Sequence, residues 1–259
     1  MATDRSLKLL DKLAGEGRTA FIASEVREVL ELSPQATSNV LGRLVEAGLV
    51  DRVSSGRYAI RRFGALGTAA VWDDLGSAVA AVFAGHSHRI GYLTALDHHG
   101  LLIRPVRALQ VASAYRPRSK ALAGRPLKVI RENPLTVLAG TEPLGPSRVA
   151  TVERALLDAA SRPRLVGGAS RVAEALAAAT ATEGLSDLAR AIGAEAGFRR
   201  IGSISTALSL PVGHGLEPRP WRTLVDLDTT VQHDHGWVDR TWGVAWPYPV
   251  SYLEAVVAS

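Results

Sequence analysis

The sequence contains no cysteine. That removes disulfides, thiolate zinc centres and cysteine nucleophiles together. No uninterrupted apolar run approaches the roughly 18 residues a membrane span needs. The opening "MATDRSLKLL" also lacks the apolar core of a secretory signal. A soluble, cytoplasmic protein is the expectation. Aromatic residues supply only 5% of the chain, but hydrophobic residues as a whole supply 47% and charged ones 21%. A packed core is therefore within reach, and wholesale disorder is excluded. The P-loop, GxGxxG, GxSxG and HExxH patterns are all missing, and "GSIS" (residues 202–205) lies within a helical pattern rather than at a strand-to-helix elbow. No catalytic residue, metal or cofactor is expected, and the protein does not read as an enzyme.

Acidic residues are almost absent from one long stretch. Residues 85–131 carry nine arginines and lysines, and Asp97 is the one acid among them. The chain as a whole is only +5, so the basic excess is local. Arg104, Arg107, Arg116, Arg118, Lys120, Arg125 and Lys128 form a candidate second surface for a polyanion. The alternative is a solvated face partly neutralised by the tail from Trp221 to Ser259, which holds five acids against two arginines.

What is present near the N-terminus is a regular alternation of short elements. "SLKLLDKLAG" places Leu7, Leu10 and Leu13 on one helical face and ends at Gly15. "TAFIAS" reads as a strand. Ser24 is positioned to cap a second helix, "EVREVLEL", with Val26, Val29 and Leu30 inward. Ser33 is positioned to cap a third, with Pro34 in the first turn, where its missing N–H costs nothing. At about 100° per residue, Ala36, Thr37, Val40, Leu41, Leu44 and Ala47 share one side of that third helix. Gln35, Ser38, Asn39, Gly42 and Glu46 share the other, with Arg43 at its margin. A solvated face would be better served by Glu and Lys. Gly42 costs roughly 1 kcal/mol against alanine, but it lets the helix approach another surface closely. Gln, Ser and Asn hydrogen-bond to base edges and phosphates. After Gly48, "LVDRV" and "RYAI" flank Ser54-Ser55-Gly56 as a hairpin.

The order helix, strand, helix, turn, helix, hairpin resembles a winged helix-turn-helix, down to "LVEAGLVDRV…GRYAI". The resemblance implies that the third helix enters the major groove and the wing meets the backbone. Gln35, Ser38, Asn39 and Arg43 are the expected reading set, with Arg57 on the wing touching phosphate and double-stranded operator DNA as the partner. A winged helix used only for protein contacts is the alternative.

Beyond residue 63 the chain reads as a connecting helix over 64–84 and then a mixed domain over 85–259. That domain is expected to have a short helix through Leu93 and Leu96, strands near "RALQVAS" and "PLKVI", and helices at "SRVATVERALLDAASRP", "GGASRVAEALAAATA", "LSDLARAIGAEAG" and "FRRIGSISTALSL". The last 40 residues read as strands and loops. The fold class is therefore α+β: an N-terminal winged helix-turn-helix over 1–63, followed by a larger mixed α/β domain with a helical centre.

Three motifs in this second part carry a further resemblance. They are Ala95-Leu96-Asp97-His98-His99-Gly100-Leu101; Glu153, Arg154, Leu156, Leu157, Asp158, Arg162, Pro163, Gly167 and Gly168; and Arg199, Arg200, Gly202 and Leu208. Their order and spacing are similar to the AbiEi family, the antitoxins of AbiE-type (type IV) toxin–antitoxin systems. Ile201 and Ser203 depart from its usual pattern. The resemblance implies an antitoxin that counteracts a nucleotidyltransferase-like toxin and represses its own operon. A ligand-responsive winged-helix repressor, whose C-terminal domain senses a small molecule, is the alternative. Read from the residues alone, Arg154 and Asp158 are spaced to pair on one helix, either as a structural bridge or as a contact site. Gly167-Gly168 marks a helix start, a place where an anion could be cradled. The histidine groups "HSH", "DHH" and "QHDH" lack recognised metal spacing, and His99 is expected to pack or hydrogen-bond near Gly100.

Overall fold

Leu9, Leu10 and Leu13 are buried on one side of the first helix, α1 (Asp4–Gly15). They meet Phe21, Val26, Leu41, Leu44, Val50 and Tyr58 to form a small core of their own. The computed structural model describes residues 4–16, 18, 20–60, 75–122, 125–180, 183–231 and 236–258. The Leu7 side chain and the expected helix over residues 64–74 lie outside what is described. The first unit continues with β1 (Ala20–Ile22), α2 (Ala23–Val29), α3 (Pro34–Glu46), β2 (Val50–Ser54) and β3 (Arg57–Ile60). Its sheet has the order β1-β3-β2, antiparallel throughout.

The caps follow local chemistry, with one departure. Ser33 accepts from the Ala36 N–H at 3.3 Å, and Pro34 opens α3 as the sequence implies. Ser24 does not cap α2. The Glu25 carboxylate accepts from the Ile22 N–H at 2.9 Å while its two oxygens also bind Arg18, so a longer, charged acceptor takes the place of the hydroxyl.

Next come α4 (Leu75–Phe83), β4 (His88–Ile90), α5 (Tyr92–His98), β5 (Leu109–Ser113), β6 (Ala121–Leu122), β7 (Arg125–Arg131), β8 (Thr141–Leu144) and β9 (Ser147–Ala150). Strands β4 to β9 make a six-stranded mixed sheet ordered β6-β7-β5-β4-β9-β8. Helix α6 (Val152–Ser161) packs on β9 and α5, and around it gather α7 (Pro163–Val166), α8 (Ala169–Ala178), α9 (Leu185–Ile192) and α10 (Glu195–Ala207). A small sheet of β10 (Val225–Asp226), β11 (Trp237–Asp239) and β12 (Val244–Trp246) and the final helix α11 (Val250–Val257) complete the chain. The sequence reading runs helix through residues 147–150, which form β9, and assigns no helix to the tail, where α11 follows Pro249.

Helix α4 belongs to both parts. It packs on β1, β2 and β3 of the first sheet and on β9 of the second. Its Ala78, Val79, Val82 and Phe83 are buried in the larger core. The mixed α+β architecture, an N-terminal winged helix before a larger α/β region, is as the sequence implies.

Candidate nucleic-acid interface

The two sides of α3 separate as the helical wheel requires. Thr37, Leu41 and Leu44 are buried, whereas Gln35, Ser38, Asn39, Gly42, Arg43 and Glu46 are exposed. Ala47, read as inward, is exposed at the C-cap. A Cβ added at Gly42 would meet nothing within 4 Å, so open space lies in front of the glycine. The Gln35 amide donates to the Asn39 carbonyl oxygen at 3.3 Å. That bond is long and exposed, and exchange for an outside partner costs little. The four expected reading residues of the helix therefore stand together on one free face.

Arg57 does not join them. It is 9% exposed, its guanidinium donates to the Ala84 carbonyl at 2.6 Å, and it lies 5.1 Å from the centroid of the Tyr115 ring. The expected phosphate contact is instead turned inward, because a carbonyl and an aromatic face from the second part of the chain out-compete solvent. His86 stacks on Tyr115 with ring centroids 3.7 Å apart. Burial and the Arg57 charge both hold the His86 imidazole below its ordinary pKa.

Of the second basic set, Arg104, Arg107, Arg116, Arg118, Lys120 and Lys128 are exposed. Arg125 is half-buried, and its guanidinium donates to the Val106 and Arg107 carbonyls. It clips a loop rather than offering a free charge.

The motif residues of the second part form a buried frame. The Arg154 Nε donates to Asp158 Oδ1 at 2.8 Å, the pairing its spacing implies. Arg89 donates to Asp158 Oδ2 at 2.6 Å and to both oxygens of Glu132, and Arg154 also reaches Glu132 at 3.0 Å. The Tyr92 hydroxyl donates to Glu132 Oε1 at 2.6 Å. Burial works to raise the Glu132 carboxyl, but the bonds from Arg89 and Tyr92 hold it below its ordinary value. Burial and the Asp158 and Glu132 charges push the Tyr92 phenol up. Two cations and two anions thus tie β4, α5, α6 and the end of β7 together. Arg89 and Glu132, distant in sequence, are the members that motif reading misses.

A cleft of about 390 Å³ lies over this frame, with Tyr92, Asn133, Ser161, Arg162 and Gly193 among its walls.

The other motifs are also accounted for by packing. Gly168 precedes α8, and the anion at that helix start is the chain's own Asp228, which accepts from the Ala169 N–H at 2.8 Å and from Thr230. A Cβ on Gly168 would come within 2.8 Å of Asp228 Oδ2. Arg199 donates to the Trp242, Thr223 and Gly243 carbonyls, and Arg200 to those of Asp226 and Ala160. Burial lowers the Arg200 pKa to about 10. A Cβ on Gly202 would run into the Trp242 ring. Ile201 is fully buried, and Ser203 donates to Asp239 while accepting from the Trp246 indole.

Among the described residues, His98, His99 and Glu142 offer ligand atoms within 4.8 Å of one another. The sequence cannot join Glu142 to the histidines, since it lies on β8. His99 Nε2 already lies 2.7 Å from the Ala150 carbonyl, and His98 and Glu142 are exposed. The "QHDH" group lies outside the described residues. No helix among those described is long and apolar enough to cross a membrane.

Comparison with known proteins bears on the N-terminal unit and on the overall fold. Residues 3–57 match the model of the MarR family. No curated protein matches the chain. Among solved structures, the RV2827C protein from Mycobacterium tuberculosis is similar in fold, with a TM-score of 0.57 at 15% identity, covering 100% of this chain and 96% of that one. The N-terminal unit is a MarR-type winged helix-turn-helix, and the chain that carries it is a winged-helix DNA-binding regulator.

Proposed function

We propose that this protein is an autorepressing antitoxin. The α3 face holds operator DNA upstream of its own gene, and the larger domain opposes a nucleotidyltransferase-like toxin encoded beside it. The observation that carries the DNA half is the free face of Gln35, Ser38, Asn39 and Arg43, with open space before Gly42. The antitoxin half rests on the AbiEi-like motifs. Arg154, Asp158, Gly168, Arg199, Arg200 and Gly202 all do structural work in one domain, as a set that defines a fold family would. Such a role places no demand for a catalytic group on either part.

The test is growth of cells expressing the adjacent gene, with the full chain, with an Asn39→Ala/Arg43→Ala variant, or with neither. Rescue by both forms supports an antitoxin whose toxin-opposing surface is separate from α3. A harmless neighbour, or a toxic one that neither form relieves, removes the antitoxin reading and leaves the regulator.

A second reading, a repressor that senses a small molecule, has one observation in its favour. The cleft above Tyr92 and Glu132 is large enough for a ligand of modest size. Release from DNA on adding a metabolite, with no toxic neighbour, would select it.

A further inference from the structure

The buried Arg57 leaves the wing short of one phosphate-binding cation, and the residue that buries it leads directly into a basic loop. Tyr115, under the Arg57 guanidinium, is followed by Arg116-Pro117-Arg118-Ser119-Lys120. We propose that this loop and the winged helix form one composite surface for duplex DNA, in which Arg116, Arg118 and Lys120 supply backbone contacts beside the wing. The proposal rests on the DNA-binding reading above and assigns part of that surface to the second domain.

The loop lies in the right place. Arg57 is the first residue of β3, immediately after the wing turn at Ser55 and Gly56. Its contact with Tyr115 fixes residue 115 at the base of that turn, and the Ala84 carbonyl bond holds the same joint just past the end of α4.

The loop is also ordered. Tyr115 stacks with His86 and meets the Phe83 ring edge-on. Its N–H donates to Ser113 Oγ at 3.1 Å. Pro117 is buried, the Ser119 hydroxyl donates to the Ala121 carbonyl at 2.6 Å, and the Lys120 carbonyl accepts from the Leu127 N–H at 2.8 Å. The chain is therefore anchored along the loop, while the Arg116, Arg118 and Lys120 side chains are exposed.

Its cations have no acidic partner among the described residues. No acid occurs between Asp97 and Glu132, and among the described residues none of the three cations makes an ion pair. By contrast, residues 1–62 hold ten basic and eight acidic residues, a weak balance for a domain binding a polyanion alone. A docked basic loop corrects that balance where the wing needs it.

The experiment uses the full chain and a labelled mixed-sequence duplex of about 30 base pairs, since phosphate contacts do not depend on sequence. Affinity is measured over a salt series for the wild type, for Arg116→Ala/Arg118→Ala/Lys120→Ala, and for the charge-keeping Arg116→Lys/Arg118→Lys/Lys120→Arg. All three sites are exposed, and matching thermal transitions check the fold. The slope of log K against log salt should fall by about 0.9 for each phosphate no longer neutralised, up to about 2.7 for three. Affinity at low salt should drop at least tenfold (roughly one decade is modest for three phosphates), and the charge-keeping variant should retain the wild-type slope. An unchanged slope in the alanine variant, with wild-type binding still steep in salt, overturns the composite surface and leaves the winged-helix reading standing. A wild type that binds no duplex at all overturns both.

Discussion

The Arg57 guanidinium lies 5.1 Å from the centroid of the Tyr115 ring, joining a wing strand to a residue 58 positions later in the chain. This pairing makes Arg57 part of the joint between the two parts of the protein. Arg57→Ala should leave the salt slope of DNA binding unchanged and lower stability by about 1–3 kcal/mol, through removal of a buried hydrogen bond and the ring interaction. Denaturant unfolding and a salt titration of the same preparation check it. A slope lower by about 0.9 would return Arg57 to the phosphate contacts.

Gly42→Ala should separate folding from binding. Open space surrounds the position and its backbone is helical, so the substitution should stabilise the protein by up to about 1 kcal/mol. If α3 sits against DNA, the added methyl group should weaken duplex binding in the more stable protein. Unchanged affinity would mean that this face does not come close to DNA.

The frame around Asp158 should be intolerant of single changes. Asp158→Ala leaves Arg89 and Arg154 as buried cations with one carboxylate partner, Glu132, in place of two, at a cost of about 3–5 kcal/mol. A denaturation midpoint close to wild type would show that water enters the cleft freely and screens the network.

The fold should weaken in mild acid. His88 Nδ1 donates to the His86 carbonyl and Nε2 accepts from Ser147 Oγ, both at 2.8 Å. Burial pulls its pKa below the ordinary value, only partly offset by the carbonyl bond. The unfolded chain therefore takes up this proton first. The stability from neutral His88 is fully present above the unfolded pKa of about 6.5 and is lost as pH falls through the lower folded value. Melting temperature should decline on acidification below about pH 6.5, with a shallower decline in His88→Gln. Equal declines would assign the effect elsewhere.

The parts of this structure visible in the sequence are those set by neighbours along the chain. Ser33 and Pro34 start α3, the wheel divides Leu41 and Leu44 from Ser38 and Asn39, and Gly56 turns the wing. Residues 147–150 mislead because their apolar spacing runs without a break into α6. The boundary is Thr151, whose hydroxyl caps α6 by accepting from the Arg154 N–H at 3.3 Å. Helix α11 is hidden in a tail whose tryptophans and prolines suggest strand and loop, although Pro249 in front of "VSYLEAVV" is a readable start. Partners brought together from far apart are not readable: Arg57 with Tyr115, Gly168 with Asp228, Glu142 with His99. Each depends on sheet order and helix packing, which local patterns do not encode. The candidate reading face is therefore legible, whereas the burial of its expected wing cation is not.

The most direct test of the account is competition binding of the full chain to the DNA upstream of its own gene against mixed-sequence duplex, for the wild type and Asn39→Ala. The account predicts a clear preference for the upstream DNA, and a loss of about 1–3 kcal/mol of that preference in the variant while mixed-sequence binding is unchanged. No preference in the wild type, or a preference that Asn39→Ala leaves intact, would contradict the assignment of α3 as the reading helix.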